Sequence, residues 1–97
     1  MYVVIFKAEI KRFDTEYENT AFRMRELATE EFGCTRFLTC SEGDTELSIS
    51  YWQTQEAFDA WMQHPEHQAA QERARKRWYK SSRQCVVLIS MNYAYLT

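Results

Sequence analysis

The chain has 97 residues, near the lower part of the usual domain range, so a single domain over residues 1–97 is expected and a second independent core does not fit. Hydrophobic residues make up 45% and charged residues 27%, with two Gly and one Pro, which excludes a disordered or low-complexity chain. The net charge of −2 gives no general attraction to phosphate backbones or anionic membranes, so neither nucleic acid nor membrane is an expected partner.

The first stretch, Val3 to Ile10, is β-branched and aromatic and predicts a strand. Lys7 and Glu9 interrupt its apolar run and no small-residue cleavage site follows, so it reads as neither signal peptide nor membrane span, and the expected location is the cytoplasm. Cys34, Cys40 and Cys85 are odd in number and match no metal spacing, which predicts reduced, buried, inert thiols.

From Asp14 to Phe32 the period becomes helical. Asp14 or Thr15 is placed to cap the first turn, Glu16 and Glu18 suit its positive end, and Tyr17, Ala21, Met24, Leu27 and Ala28 recur at three and four residues. Gly33 ends the helix as the residue that takes a left-handed conformation at least cost. Strands are predicted at Thr35 to Ser41 and Glu46 to Trp52, joined as a hairpin. Thr54 then caps a short helix carrying Ala57, Phe58, Trp61 and Met62, which His64-Pro65 breaks, with Pro65 suited to the first position of the next helix. That helix is expected to run to about Lys80 with Ala70, Ala74 and Trp78 inward, followed by a last strand from Cys85 to Asn92 and a tail from Tyr93 to Thr97.

This order predicts an α+β fold, a ferredoxin-like βαββαβ unit with helices on one face of an antiparallel sheet. Strands half covered by helices should alternate apolar and polar residues. Val3-Val4-Ile5-Phe6 and Cys85-Val86-Val87-Leu88-Ile89 do not alternate. Leaving such side chains wet forfeits about 1.5 to 3 kcal/mol each. The sheet of a second copy is the simplest cover, so a homodimer joined as a barrel-like shell is expected; the competing cover is the chain's own C-terminal tail.

The segment Tyr51 to Arg83, YWQTQEAFDAWMQHPEHQAAQERARKRWYKSSR, combines a strand ending in Tyr-Trp, a short helix with an inward Trp, a His-Pro-Glu-His break and a long helix ending in Trp-Tyr. In this it resembles the antibiotic biosynthesis monooxygenase family. The resemblance implies a dimeric α/β barrel with a pocket between sheet and helices, and relatives that carry out cofactor-independent oxygenation of phenolic or quinol compounds, or haem degradation. Haem-degrading relatives use a tryptophan in the short helix, a histidine ten residues later and an asparagine on the first strand. Trp61 matches the first, but Gln71 stands at the histidine position and no Asn precedes Asn19. An amide is a poor iron ligand, so haem degradation is disfavoured, with His67 as the one substitute nearby.

His64 and His67 alone supply too few ligands for a metal site. His64 is expected as a helix cap, and His67, if it faces the pocket, as general base. A cofactor-free oxygenase needs an aromatic-walled pocket and one or two polar groups that draw a proton from an electron-rich substrate and exclude water. The three Trp, six Tyr and six Phe are more than a minimal core needs. His67, Trp61 and Gln71 are the candidate catalytic residues, and Phe6, Phe22, Tyr51, Trp78, Tyr79 and Arg83 the candidate substrate-binding ones. Trp61, Phe58 and Trp78 at helical spacing also fit plain core. The basic run Glu72 to Lys80 reads as cations at a helix C-terminus rather than a nucleic-acid surface. Gly33 and Gly43 are too far apart for a nucleotide loop. The expected activity is therefore monooxygenation of a small aromatic or quinol compound without flavin, nicotinamide or metal. The alternative from another class is a non-catalytic dimeric domain, ligand-binding or stress-related, that holds a hydrophobic molecule in the same pocket.

Overall fold

In the computed structural model, which describes residues 1–96, the expected elements follow one another around a single four-stranded antiparallel sheet. They are β1 (Tyr2–Ile10), α1 (Thr15–Glu31), β2 (Cys34–Glu42), β3 (Thr45–Trp52), α2 (Gln55–Gln63), α3 (Pro65–Arg73) and β4 (Tyr79–Leu88). The sheet order is β2-β3-β1-β4. The first and last strands therefore lie side by side, and the helices cross back over one face as a split βαβ unit requires.

Local chemistry fixes each boundary. The Asp14 carboxylate accepts a hydrogen bond from the Tyr17 backbone N–H at 2.8 Å, capping α1, and Gly33 leaves it at φ +75°. Gly43, at φ +58°, turns the β2–β3 hairpin, and the Asp44 carbonyl accepts from the Ile10 N–H at 2.8 Å. Thr54 caps α2 by accepting from the Ala57 N–H at 3.2 Å. His64 caps α3 through Nδ1, which accepts from the Glu66 N–H at 3.1 Å, with Pro65 at the first helical position. An imidazole thus does here what Ser, Thr or Asp usually does.

The chain departs from expectation after Arg73. Rather than continuing to Lys80, α3 ends at Arg73, a π-helical turn spans Ala74–Trp78, and β4 begins at Tyr79, six residues earlier than expected. The last strand also ends at Leu88 rather than Asn92. Tyr79 to Gln84 lacks the apolar period that marks a strand, but as an edge strand it tolerates polar residues on both faces. Its register slips between Glu9 and Ile10, which face Ser81 and Tyr79, so Lys80 is bulged out and Tyr79 is turned inward. Of the predicted tail, Thr97 lies outside the described residues.

Residues directly opposite in an antiparallel pair share a face, so the register sorts the sheet into two sides. Val4, Phe6, Ala8 and Ile10 of β1, with Ser48, Ser50 and Trp52 of β3, lie under the helices. Their packing forms two clusters. One joins Val4, Leu27, Ala28, Cys34, Trp52, Phe58 and Trp61; the other joins Ala8, Ile10, Tyr17, Ala74 and Trp78.

The opposite face carries Val3, Ile5, Leu38, Leu47, Ile49 and Val87, with Leu38 43% and Val87 44% exposed. The tail does not cover it: Met91, Tyr93, Tyr95 and Leu96 are themselves exposed. The three cysteines are free, but only Cys34 is buried; Cys40 and Cys85 are exposed on this outer face, contrary to expectation. The strand period places them: Cys40 is opposite Leu47 and Cys85 opposite Ile5, both outward. Among the described residues no helix is long and apolar enough to cross a membrane.

Candidate active site

Between the sheet and the helices, with walls drawn from both core clusters, lies a cavity of about 100 Å³. Phe6, Ser48, Ser50, Thr39 and Gln84 come from the sheet; Tyr17, Met24 and Arg25 from α1; and Trp61, His67, Gln71, Trp78 and Tyr79 from the segment after β3. Six of the nine residues anticipated from sequence are thus brought together: Phe6, Trp61, His67, Gln71, Trp78 and Tyr79.

Phe22, Tyr51 and Arg83 are placed elsewhere. Phe22 follows Ala21 by one residue, a turn of about 100° that carries it off the inward face, and it is 63% exposed. Tyr51 lies between the inward Ser50 and Trp52, and Arg83 precedes the cavity-lining Gln84, so strand alternation turns both to the outer face. Arg25, Glu46, Ser48, Ser50, Thr39 and Gln84 escaped the sequence reading, and Tyr17 was read there only as part of the helical apolar period. Strand parity counted from Trp52 would have found the serines and Glu46.

His67 is the centre of the aromatic wall. It is 97% removed from solvent, being 3% exposed, and its ring stands edge-on to Trp61 with centroids 4.2 Å apart. Its Nδ1 is buried without a hydrogen-bond partner. Burial first, then the charge of nearby His64, pushes its pKa down to about 4. The ring is therefore neutral near pH 7, and one ring nitrogen is available to accept a hydrogen bond. A base this weak is less well matched to proton abstraction than the unperturbed imidazole assumed from sequence. Trp61 is fixed in turn by donating its Nε1–H to the Met24 carbonyl at 3.1 Å, which ties α2 to α1.

The far end of the cavity is polar and acidic. The Glu46 carboxylate accepts from the Ser41 hydroxyl. Burial, with Glu46 nearby, raises the pKa of Tyr79 to about 12 and that of Tyr17 further still, so both phenols stay protonated. Phe6, Tyr17, Trp78 and Tyr79 form a tilted aromatic cluster with centroid separations of 5.3 to 6.4 Å.

These residues do not fit a haem. Pockets for drug-sized ligands run to about 300–1,000 Å³, well above this cavity, and the only imidazole in its wall is packed against an indole rather than standing over open space. Among the described residues no three His, Cys, Asp or Glu side chains cluster to hold a metal.

The sequence of residues 1–73 matches the family model described as antibiotic biosynthesis monooxygenase. The chain belongs to that family. Its 40% identity over 81 residues to the uncharacterized Bacillus subtilis protein YqjZ, covering 82% of this chain and 71% of that one, is similarity to a relative of unstated activity. Solved structures share the fold at low identity. SnoaB from Streptomyces nogalater, described as a cofactor-independent oxygenase, superposes with a TM-score of 0.79 over 94% of both chains at 15% identity. A Deinococcus radiodurans protein assigned to the same family gives 0.81 over the whole of both chains at 10%. Both likenesses establish the ferredoxin-like α+β fold. Trp78, Tyr79 and Gln84 lie beyond the segment that the family model matches.

Proposed function

We propose that this protein is a cofactor-independent monooxygenase acting on a small aromatic or quinol compound held in the cavity. The observation that carries this reading is a buried, neutral His67 with an unpartnered nitrogen, set in an aromatic wall beside Trp61. A bound phenol would donate its O–H to this neutral imidazole. Proton loss then leaves an electron-rich anion that gives one electron to O₂, and the radicals recombine at a ring carbon as a peroxide. Where that carbon carries a hydrogen, the peroxide forms as C(H)–OOH and loss of water leaves a carbonyl: one oxygen atom stays on the product, the other leaves as water, and all electrons come from the substrate. The aromatic walls serve to keep bulk water from the intermediates. The fold similarity to SnoaB, a protein described as working without cofactor, supports the same reading.

The protein is further proposed to act as a homodimer in the cytoplasm. The apolar outer face of the sheet, which neither helices nor tail cover, supports the pairing; three free thiols support a reducing compartment. A second reading, a non-catalytic domain that holds a hydrophobic ligand, draws support from the weak basicity of His67.

Oxygen consumption with a panel of small quinols and phenols tests the choice. Turnover that His67→Ala abolishes supports the oxygenase. Tight binding with no oxygen uptake by the wild-type protein overturns it in favour of the binding domain.

A further inference from the structure

Two buried nitrogens in the cavity wall have no partner, His67 Nδ1 and Arg25 Nε. The second is the more unusual, because a guanidinium is always charged and its donors need acceptors. Arg23, Arg73 and Arg77 each have a carboxylate beside them. Arg23, two residues away, forks onto Glu66 at 2.8 and 2.9 Å and reaches Glu26 at 2.7 Å; Arg77 pairs with Glu16 at 3.0 Å, and Arg73, whose Nε likewise makes no hydrogen bond, still lies 3.7 Å from the Glu16 carboxylate. Among the described residues Arg25 pairs with no carboxylate; its guanidinium carbon instead lies 5.9 Å from the centre of the Phe37 ring.

From Phe37 the wall runs without interruption to the proposed proton acceptor. Phe37 meets Trp61 at 6.1 Å, and Trp61 meets His67 at 4.2 Å. The cation and the neutral imidazole therefore belong to the same end of the cavity. The opposite end is acidic: Glu46 is four residues from Ser50, the residue opposite Phe37, roughly 13 Å at the rise of a strand. The cavity thus has a positive and a negative end. Its size sets a second limit: at about 100 Å³ it is below the roughly 150 Å³ of a cavity that admits benzene, so one ring is the most it takes, and only as its walls give.

We propose that Arg25 is the anion-binding residue of this cavity, and that the ligands taken there are single-ring aromatics carrying an ionised oxygen, with that oxygen on the guanidinium. This rests on the reading of the cavity as the ligand site, but not on oxygenation taking place in it. The guanidinium supplies the acceptor-seeking donors and charge that stabilise an aryl oxyanion, whether a ring carboxylate or the phenolate that His67 helps to form. Glu46 turns anions away from the other end. Polycyclic compounds and aryl ammonium ions are rejected, the first by size and the second by charge.

The test uses the full chain and its variants Arg25→Gln and Arg25→Lys, titrated with benzoate, 4-nitrophenol and benzylamine by tryptophan fluorescence. Because Arg25 has no carboxylate partner to lose, both variants should keep the wild-type circular dichroism spectrum, and Arg25→Lys retains the charge should the amide fold poorly. The wild type should bind benzoate and 4-nitrophenolate and not benzylamine. Arg25→Gln should weaken the anions roughly 10- to 100-fold, and Arg25→Lys should weaken them less. Bound 4-nitrophenol should ionise at lower pH than free 4-nitrophenol, and this shift should vanish in Arg25→Gln; the two anions separate carboxylate from phenolate recognition. Equal anion affinity in wild type and Arg25→Gln, preference for benzylamine, or no anion binding by the wild type overturns the proposal. Arg25-dependent binding without oxygen uptake would remove the oxygenase reading and leave this one. Oxygen uptake from a quinol that is indifferent to Arg25→Gln would do the reverse.

Discussion

The imidazole of His67 stands edge-on against the indole of Trp61, with ring centroids 4.2 Å apart and planes at 66°. The contact joins the first turn of α3 to α2 across the His64-Pro65 break and keeps the imidazole out of water. An imidazole so placed resists protonation, which ties the stability of the fold to pH.

The unfolded chain takes up a proton at His67 near pH 6.5, whereas the folded chain resists until about pH 4. Between these values the unfolded state holds more protons, so stability is fully present above pH 6.5 and is lost as the pH falls toward 4, by a total on the order of 3 kcal/mol. The carboxylates whose pKa is lowered by their partners, Glu66 by Arg23 and Glu72 by Lys76, lose their contributions only below their usual value of 4.5. Urea unfolding followed between pH 4.5 and 6.5 isolates His67. The wild type should weaken across this interval and His67→Gln should be nearly flat; parallel slopes would show that the imidazole is not held neutral.

Trp61 gives the second measurable consequence. It packs on Trp52, Phe58, Phe37 and His67, and its Nε1–H satisfies the Met24 carbonyl. Trp61→Phe removes a buried ring and that hydrogen bond, and should destabilise the protein by about 1–3 kcal/mol. A shift of the urea midpoint without a change in slope is the expected form.

Much of this was legible in the residues because helix periods and caps act locally. Asp14, Gly33, Thr54 and Pro65 mark helix boundaries by their own chemistry, and Ala70, Ala74 and Trp78 kept their inward phase even where the α-helix gave way to a π turn. The start of β4 was not legible, since Tyr79 to Gln84 is held by pairing with β1, a partner some seventy residues away, and not by its own pattern. The cavity was half legible for a related reason. An aromatic such as Phe22 or Tyr51 looks like a pocket wall from composition, but one residue of phase decides its face. Arg25 left no trace, because the chain has several arginines and only the fold shows which one lines the cavity.

The histidine cap of α3 yields a prediction separable from the site. His64 accepts from the Glu66 N–H and also meets the Phe32 ring at 5.6 Å. His64→Ala should cost about 1 kcal/mol, and His64→Asn, a strong capping residue, should recover most of it. Thermal melts of the three proteins at pH 7.5 check this. An Asn variant as weak as the Ala variant would mean that the Phe32 contact, and not the cap, holds the turn.

The proposed homodimer predicts where a single charge will break it. Ile49 lies at the middle of the outer sheet face, opposite Ile5 on β1 and Leu38 on β2, with its side chain directed away from the helices. A carboxylate there meets water in a monomer at little expense but would be desolvated without a partner between two sheets, a penalty of several kcal/mol per ion. Ile49→Glu should therefore sediment as a monomer with an unchanged far-ultraviolet spectrum, while the wild type sediments as a dimer. Phe22→Glu, at an exposed helix position away from this face, should leave association untouched and serves as the control for added charge. If the wild type proves monomeric, or if Ile49→Glu still pairs, the oily outer face must be covered in some other way, and a shell built from two sheets is wrong.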